Sequence, residues 1–373
     1  MIIGIDGNEA NEKKRVGSGE YAYELLMQFV QLKSHRPNLA FTIYLKNSPS
    51  WDLPQEQEGW TYRVIGPKKL WTQYALPLDL YLHKPRPDIF FTPTHYAPRF
   101  SPIPTVISIM DLSYIHFPDL FKKSDLYQLE HWTGYSIKNA KRVFTISNAS
   151  KNDIINQYGI PEKQVSVTYP GIKKITEELP MKGIKKPQTY ILFVGTLQPR
   201  KNITRLIQAF ALILKDKKNE KKYQDLQLLI IGKKGWLYDD IFSAPVINGV
   251  EDKVEFLEYV SNEELAVLYK NALFFILPSL YEGFGLPVLE AMQHGCPVIT
   301  SNVSSLPEAG GEAALYINPE NVDDMVIKMN KLLGDENLRK ELVKKGYKQV
   351  KKFNWEKTAE ETLAVLEQIG QKT

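Results

Sequence analysis

Two short segments hold residues whose types and spacing could bind a phosphorylated, hydroxyl-rich ligand. The first is Gly195-Thr196-Leu197-Gln198-Pro199-Arg200-Lys201-Asn202, which follows the apolar run Tyr190–Val194 and precedes a helical stretch. A glycine at a strand end lets the backbone come close to a ligand. Arg200 and Lys201 suit a diphosphate, because a guanidinium grips oxygens in a fork and an ammonium acts as a point charge. The second segment runs from Pro278 to Met292 and contains Tyr281-Glu282-Gly283-Phe284-Gly285-Leu286-Pro287. Its two glycines offer backbone amides just ahead of a helix, and helix N-termini attract phosphate. Glu282 and Glu290 stand eight positions apart with the glycine turn between them. One carboxylate can face a sugar while the other accepts hydrogen bonds from ribose hydroxyls.

Such segments need strand ends to hold them, and the rest of the chain supplies strands. Ile2–Ile5, Phe41–Leu45, Ile89–Thr92, Thr105–Met110 and Arg142–Ile146 read as strands, with helical runs such as Gly19–Leu32 and Ser124–Asn139 between them. A second series comprises Tyr190–Val194, Leu226–Ile231, Val254–Phe256, Ala272–Leu277 and Pro297–Thr300, with helical stretches at Thr204–Leu214 and Glu263–Lys270. This alternation predicts α/β architecture with parallel sheets covered on both faces. Tyr169-Pro170-Gly171 closes the first series, and the polar, proline-containing stretch after it has linker chemistry. The expected division is a first domain at about 1–170, a linker at 171–187 and a second domain at 188–350. In the remaining 351–373, the helical spacing of Trp355, Ala359, Leu363, Leu366 and Ile369 predicts a helix that packs back towards the first domain. Two doubly wound domains would place a ligand cleft between their facing strand ends.

Composition narrows the class. With 373 residues, 43% hydrophobic and 24% charged, the chain suits two globular domains. Its single cysteine, Cys296, excludes an internal disulfide and a cysteine zinc cage, and its place before the apolar run Pro297–Thr300 reads as packing. A net charge of +4 is too small to argue for nucleic acid. The opening strand and the absence of a 20-residue apolar stretch predict a cytoplasmic protein. Lysine runs at 215–222 and 344–352 would allow peripheral association with an anionic membrane face.

The glutamate pair, with Gly-Phe-Gly-Leu-Pro inside its spacing, resembles the signature of the family-four glycosyltransferases, which share the GT-B fold of two Rossmann-like domains. Gly195 with Arg200-Lys201-Asn202 is similar to that family's phosphate-binding segment, and Ser301–Glu308 with Gly311 to the strand and turn that follow. The first domain matches more loosely, through Gly17-Ser18-Gly19-Glu20-Tyr21, Pro93–Pro98 and Asp111-Leu112. The resemblance implies transfer of a hexose from a nucleotide-diphosphate sugar with retention. It implies that Arg200 and Lys201 neutralise the diphosphate and that Glu290 holds the ribose. Glu282 and the amides of Gly283, Phe284 and Gly285, next to Leu286, would hold the transferred sugar and the distal phosphate. Tyr259 and Val260 would form a nucleobase wall, and Gly17 to Glu20 a loop facing donor and acceptor. Many relatives carry a histidine directly before Asp111, where this chain has Met110; His95, beside Tyr96, and His116 are then candidates to face the acceptor.

No Asp-x-Asp occurs in the chain, so the expected positive charge comes from Arg200, Lys201 and a helix N-terminus rather than from a metal. A phosphate oxygen released on the same face could take the acceptor's proton. The expected partners are a nucleotide sugar, GDP-mannose first and UDP-glucose next, and a glycan or glycolipid acceptor. Two other readings share the architecture: a non-catalytic sugar-nucleotide-binding subunit, disfavoured by the intact Glu282, Glu290, Arg200 and Lys201, and a nucleotide-sugar epimerase, disfavoured by the glutamate-pair segment. A nicotinamide dehydrogenase would need Gly-x-Gly-x-x-Gly after the first strand, where Asp6-Gly7-Asn8-Glu9 stands instead.

Overall fold

The computed structural model describes residues 1–371 apart from 16, 95, 174–188, 218, 219, 221, 222 and 259. The chain divides into two compact units, one of Met1–Gly171 with Phe353–Thr373 and one of Ile172–Lys352.

The first unit contains β1 (Ile2–Asp6), α1 (Ser18–Lys33), β2 (Ala40–Leu45), β3 (Trp60–Val64), α2 (Ala75–Leu82), β4 (Ile89–Thr92), β5 (Thr105–Ile109), α3 (Ser113–His116), α4 (Lys123–Asn139), β6 (Arg142–Thr145), α5 (Asn148–Tyr158) and β7 (Val165–Val167). Its sheet is parallel with the order β3-β2-β1-β4-β5-β6-β7. All residues of β4 and β5 are buried. That follows from helices on both faces, which leave a parallel strand no solvent side and select near-continuous apolar runs. The sequence pattern misses β3 and β7, which lie at the edges and each have one buried residue followed by half-exposed or exposed ones.

The second unit contains β8 (Thr189–Val194), α6 (Ile203–Lys217), β9 (Leu226–Ile231), α7 (Asp239–Ile247), β10 (Val254–Leu257), α8 (Asn262–Asn271), β11 (Phe274–Leu277), α9 (Leu286–Gln293), β12 (Val298–Ser301), α10 (Leu306–Gly310), β13 (Ala314–Ile317), α11 (Val322–Gly334) and α12 (Glu336–Val350). Its parallel order is β10-β9-β8-β11-β12-β13. Cys296 is buried at the entry to β12, where burial pushes its thiol up.

The chain then returns to the first unit as α13 (Trp355–Gly370). Trp355, Ala359, Leu363 and Leu366 enter the core formed by β1, β2 and α1, beside Tyr21, Leu25 and Phe29. Trp355 meets Tyr21 edge to face at 5.6 Å. Each large apolar side chain buried in this way contributes about 1.5–3 kcal/mol. A salt bridge of 2.8 Å from Arg36 to Glu367 aligns the far end of the helix.

In each unit the strand order reverses at one place. In the first, β1 lies between β2 and β4; in the second, β8 lies between β9 and β11. Connections leave to opposite sides at such a reversal, so the carboxyl ends of the two central strands splay and open a crevice.

Candidate active site

The reversal in the second unit brings the two chemistry-bearing segments together. β8 ends at Val194 and β11 at Leu277, so Gly195–Asn202 and Pro278–Gly285 emerge side by side. They are stitched directly. The Leu280 amide donates to the Arg200 carbonyl at 2.9 Å. Buried Asn202 donates to the carbonyls of Pro278 and Pro319 at 3.0 and 2.6 Å. Gly195 also runs against the end of β9. A Cβ on Gly232 would stand 1.8 Å from the Gly195 carbonyl oxygen, so only glycine permits this approach.

Within that crevice Glu282 sits at the centre of a buried charge cluster. It is 7% exposed and Lys201 is 8% exposed. The Lys201 ammonium bonds Glu282 Oε1, which also accepts from Ser279 Oγ at 2.7 Å. Arg200 donates to Glu282 Oε2 at 3.1 Å and to the Tyr281 carbonyl. Burial alone would raise this carboxyl, but Lys201 first and then Arg200 bring it down to about 2. Glu282 is therefore a fixed anion whose two oxygens both face cations. Its backbone is braced as well: its amide donates to Ser304 Oγ at 3.0 Å and its carbonyl accepts from Ser305 Oγ at 2.8 Å. Ser304 makes its contact from a left-handed backbone, φ 50°.

The turn then enters α9. Gly285 is the residue before the helix, at φ 102°, and a Cβ there would meet Leu306 at 2.7 Å. No side chain caps this end, and Pro287 has no N–H to satisfy. Gly283, Phe284 and Gly285 are buried and Leu286 is half-buried, so the uncapped amide end lies beside the Glu282 cluster. Glu290 lies about one turn along, half-buried, and accepts from the Tyr269 hydroxyl at 3.2 Å. Burial raises the Glu290 carboxyl, and the bond from Tyr269 partly offsets this. Tyr269 itself is placed by α8, which starts at a reciprocal cap between Ser261 and Glu264 with bonds of 3.2 and 2.9 Å. Half-buried Val260 precedes that cap, and Tyr259 lies outside the described residues.

A cavity of the unit, about 640 Å³, is lined by Gln208, Leu212, Lys215, Ile247 and Lys253. It flanks the later turns of α6 and the entry to β10, at the amino-terminal edge of the sheet, and touches none of the motif residues.

The reversal in the first unit opens another cavity, of about 310 Å³, between the ends of β1, β2 and β4. Asp6, Asn8, Glu9, Lys46, Thr94 and Tyr96 supply polar atoms, and Trp71 and Trp132 supply aromatic walls. Asp6 accepts from the Asn8 amide at 3.0 Å and from its side chain at 2.6 Å, and Asn8 accepts from the Lys46 amide at 2.7 Å. Burial raises the Asp6 carboxyl against the lowering effect of these bonds and of Lys46. Trp132 stands edge-on to Tyr96 at 5.5 Å, and burial, then Asp125 and Glu9, push the Tyr96 hydroxyl up to about 12. Aromatic walls with alternating donors and acceptors suit a sugar ring, which has apolar faces and hydroxyl edges.

The other first-unit candidates fall in different surroundings. Gly17, exposed at φ 52°, precedes α1; Ser18, Gly19 and Glu20 form its first turn, and Gly19 packs against the Glu9 carbonyl at the cavity rim. Asp111 Oδ1 accepts from the Ser113 amide at 2.8 Å and so fixes the start of α3. His116 closes that short helix, exposed, with Nε2 3.0 Å from Asp153. His95 lies outside the described residues. Sequence reasoning misses Ser279, Ser304, Ser305, Tyr269 and Gly232 in the second unit and Asp6, Lys46, Trp71 and Trp132 in the first. A glycine directly after an apolar strand was the available signal for Gly232. Among the described residues, no group of three or more His, Cys, Asp or Glu converges as metal ligands would.

Comparison with known proteins places these features. Residues 17–174 match the family described as Glycosyltransferase Family 4, and residues 174–349 match Glycosyl transferases group 1. The O-antigen chain mannosyltransferase B of Escherichia coli is 33% identical, over 81% of this chain and 78% of that one. The O-antigen chain mannosyltransferase RfbU of Salmonella typhimurium is 33% identical over 57% of this chain and 56% of its own. The structure of a sucrose-phosphate synthase from Thermosynechococcus elongatus superposes with a TM-score of 0.74 over the whole of both chains at 18% identity. Two doubly wound parallel sheets of this kind are the GT-B architecture, and the protein is a glycosyltransferase of that class. Within it, the chain belongs to glycosyltransferase family 4.

Proposed function

We propose that the enzyme transfers mannose from a nucleotide-diphosphate sugar to a hydroxyl of a glycan or glycolipid acceptor, with retention, in the assembly of a polysaccharide. GDP-mannose is the leading donor and UDP-glucose the next. The names of the O-antigen mannosyltransferases among its relatives support the sugar and the setting. The observation that carries the mechanism is the buried cluster of Arg200, Lys201 and Glu282 at the sheet reversal.

Arg200 and Lys201 take the diphosphate, with the uncapped end of α9 supplying amides for the distal phosphate. Positive charge fixed before the reaction stabilises the leaving diphosphate without reorganisation, and this supply replaces a divalent ion. Glu290 accepts the ribose hydroxyls, and Val260, with Tyr259, forms the base wall. The acceptor sugar occupies the cavity of the first unit, with Gly17 to Glu20 at its rim.

What Glu282 cannot do supports retention. A carboxylate held at about 2, with both oxygens on cations, is a weak nucleophile and a weak base. The sugar–phosphate bond therefore breaks with oxocarbenium character. The departing phosphate oxygen, on the same face, takes the proton as the acceptor oxygen bonds to the anomeric carbon. The test is NMR of the fresh product's anomeric proton, using a donor of known configuration. Retention is expected; an inverted product would transfer the base role to Asp111 or to His95 or His116.

A further inference from the structure

Helix α2 is apolar on every side. Its inner side, Ala75, Leu76 and Leu80, packs with Tyr44, Trp71 and Phe90. Its outer side is bare: Tyr74, at its start, and Leu78, Tyr81 and Leu82 within it are 66%, 60%, 51% and 73% exposed. These positions follow i, i+4, i+7 and i+8, the spacing of a single helical stripe. Solvent-facing stripes are ordinarily polar, and a contiguous apolar one marks a surface with a partner. The single charge within the helix, Asp79, is gripped by Arg63 through both oxygens.

Two neighbouring turns add to the stripe. Leu70 and Phe100 are 44% and 73% exposed, and both are held in left-handed backbone, at φ 51° and 50°. L side chains rarely adopt that conformation, and where they do it marks functional surfaces. The Arg99 amide donates to the Thr72 carbonyl at 3.0 Å, which ties the second turn to the first. In the flanking segments 66–74, 83–88 and 97–101 the charged side chains are basic, Lys68, Lys69, Lys84, Arg86 and Arg99, with the one exception of Asp88. Leucine tips suit the acyl boundary of a bilayer and tyrosines the headgroup level, while basic residues are drawn to anionic lipid.

We propose that the outer stripe of α2, with Leu70 and Phe100, rests on an anionic phospholipid surface. The lysine runs at 215–222 and 344–352 are not needed for it. The inference goes beyond the transfer reaction and stands whether or not the acceptor is lipid-linked.

Sedimentation with extruded vesicles tests it, using equal parts phosphatidylglycerol and phosphatidylcholine against phosphatidylcholine alone, without donor or acceptor. The wild type is expected to pellet with the anionic vesicles and far less with the neutral ones. Leu78→Ser/Leu82→Ser should reduce partitioning by about tenfold or more, since each buried methylene counts towards insertion. Lys84→Ala/Arg99→Ala should reduce it on anionic vesicles only. Both variants should keep the wild-type melting midpoint and full transfer to a water-soluble acceptor. Wild type that stays in the supernatant, or a leucine variant that pellets like wild type, would overturn the proposal. So would a wild-type dimer that the leucine variant dissolves without any vesicle binding, since the stripe would then be a self-association face. Because no substrate is present, failure of the proposed donor or of retention leaves this readout untouched.

Discussion

Replacing Glu282 with Gln keeps the shape of the side chain and removes its charge. In the native protein burial opposes the carboxylate, yet Lys201 and Arg200 hold it at about 2 against an ordinary 4.5. At about 1.4 kcal/mol for each tenfold change in a protonation equilibrium, the surroundings favour the ionised form by about 3 kcal/mol. The variant loses this term and removes the carboxylate beside Lys201, which is 8% exposed. Removing one member of a buried pair costs about 3–5 kcal/mol. The second unit should therefore lose about 3 kcal/mol, a fall of about 6–12 °C in melting midpoint for a unit of its size. The pH dependence has a definite sign. A carboxyl depressed in the folded state stabilises above its unfolded value of 4.5, and that stability is lost as pH falls towards about 2. Calorimetric melts across that range should show a steeper acid slope in the wild type than in the Gln variant. A nucleoside diphosphate should recover part of the variant's loss, because its phosphates replace the missing anion. Equal midpoints with parallel acid limbs would refute the assignment of Glu282 as the anion that holds these cations.

Three further outcomes bear on the donor site. Glu290→Ala should weaken nucleotide binding by about 1.5–3 kcal/mol, the value of hydrogen bonds to a charged acceptor, and calorimetry with the cognate nucleotide reads it; unchanged affinity would remove Glu290 from the site. Arg200→Ala should lower kcat more than it raises KM, because charge on the leaving diphosphate grows in the transition state, and a pure KM effect in steady-state kinetics would contradict this. Turnover should survive excess EDTA; full loss restored by magnesium or manganese would reveal a cation site in the enzyme.

The second unit's site is legible in the sequence because its chemistry is crowded into two stretches. Each directly follows a strong apolar strand, and the two strands are neighbours at the sheet reversal. What brace those stretches are long-range contacts with no local mark. Ser304 and Ser305 reach Glu282 across 22 and 23 positions, and Tyr269 reaches Glu290 across 21. The first unit's cavity is harder to read, since Asp6, Lys46, Trp71 and Trp132 come from four separate segments. Asp6-Gly7-Asn8-Glu9 stands out in the sequence only as a failed dinucleotide fingerprint. Asp111 reads as chemistry in sequence, and in the fold its carboxylate accepts from the Ser113 amide. The edge strands β3, β7 and β13 escape periodicity because each covers five residues or fewer, with half-exposed or exposed positions.

The path of α13 sets an order of events during synthesis. The second unit is one continuous stretch, Ile172–Lys352, so all its strands and helices are synthesised before α13 is made. The first unit is begun earlier but waits: Tyr21, Leu25 and Phe29 lack the cover of Trp355, Ala359, Leu363 and Leu366 until α13 is made. The nascent chain thus carries an open apolar groove through most of its translation. The unit begun before the second is completed after it.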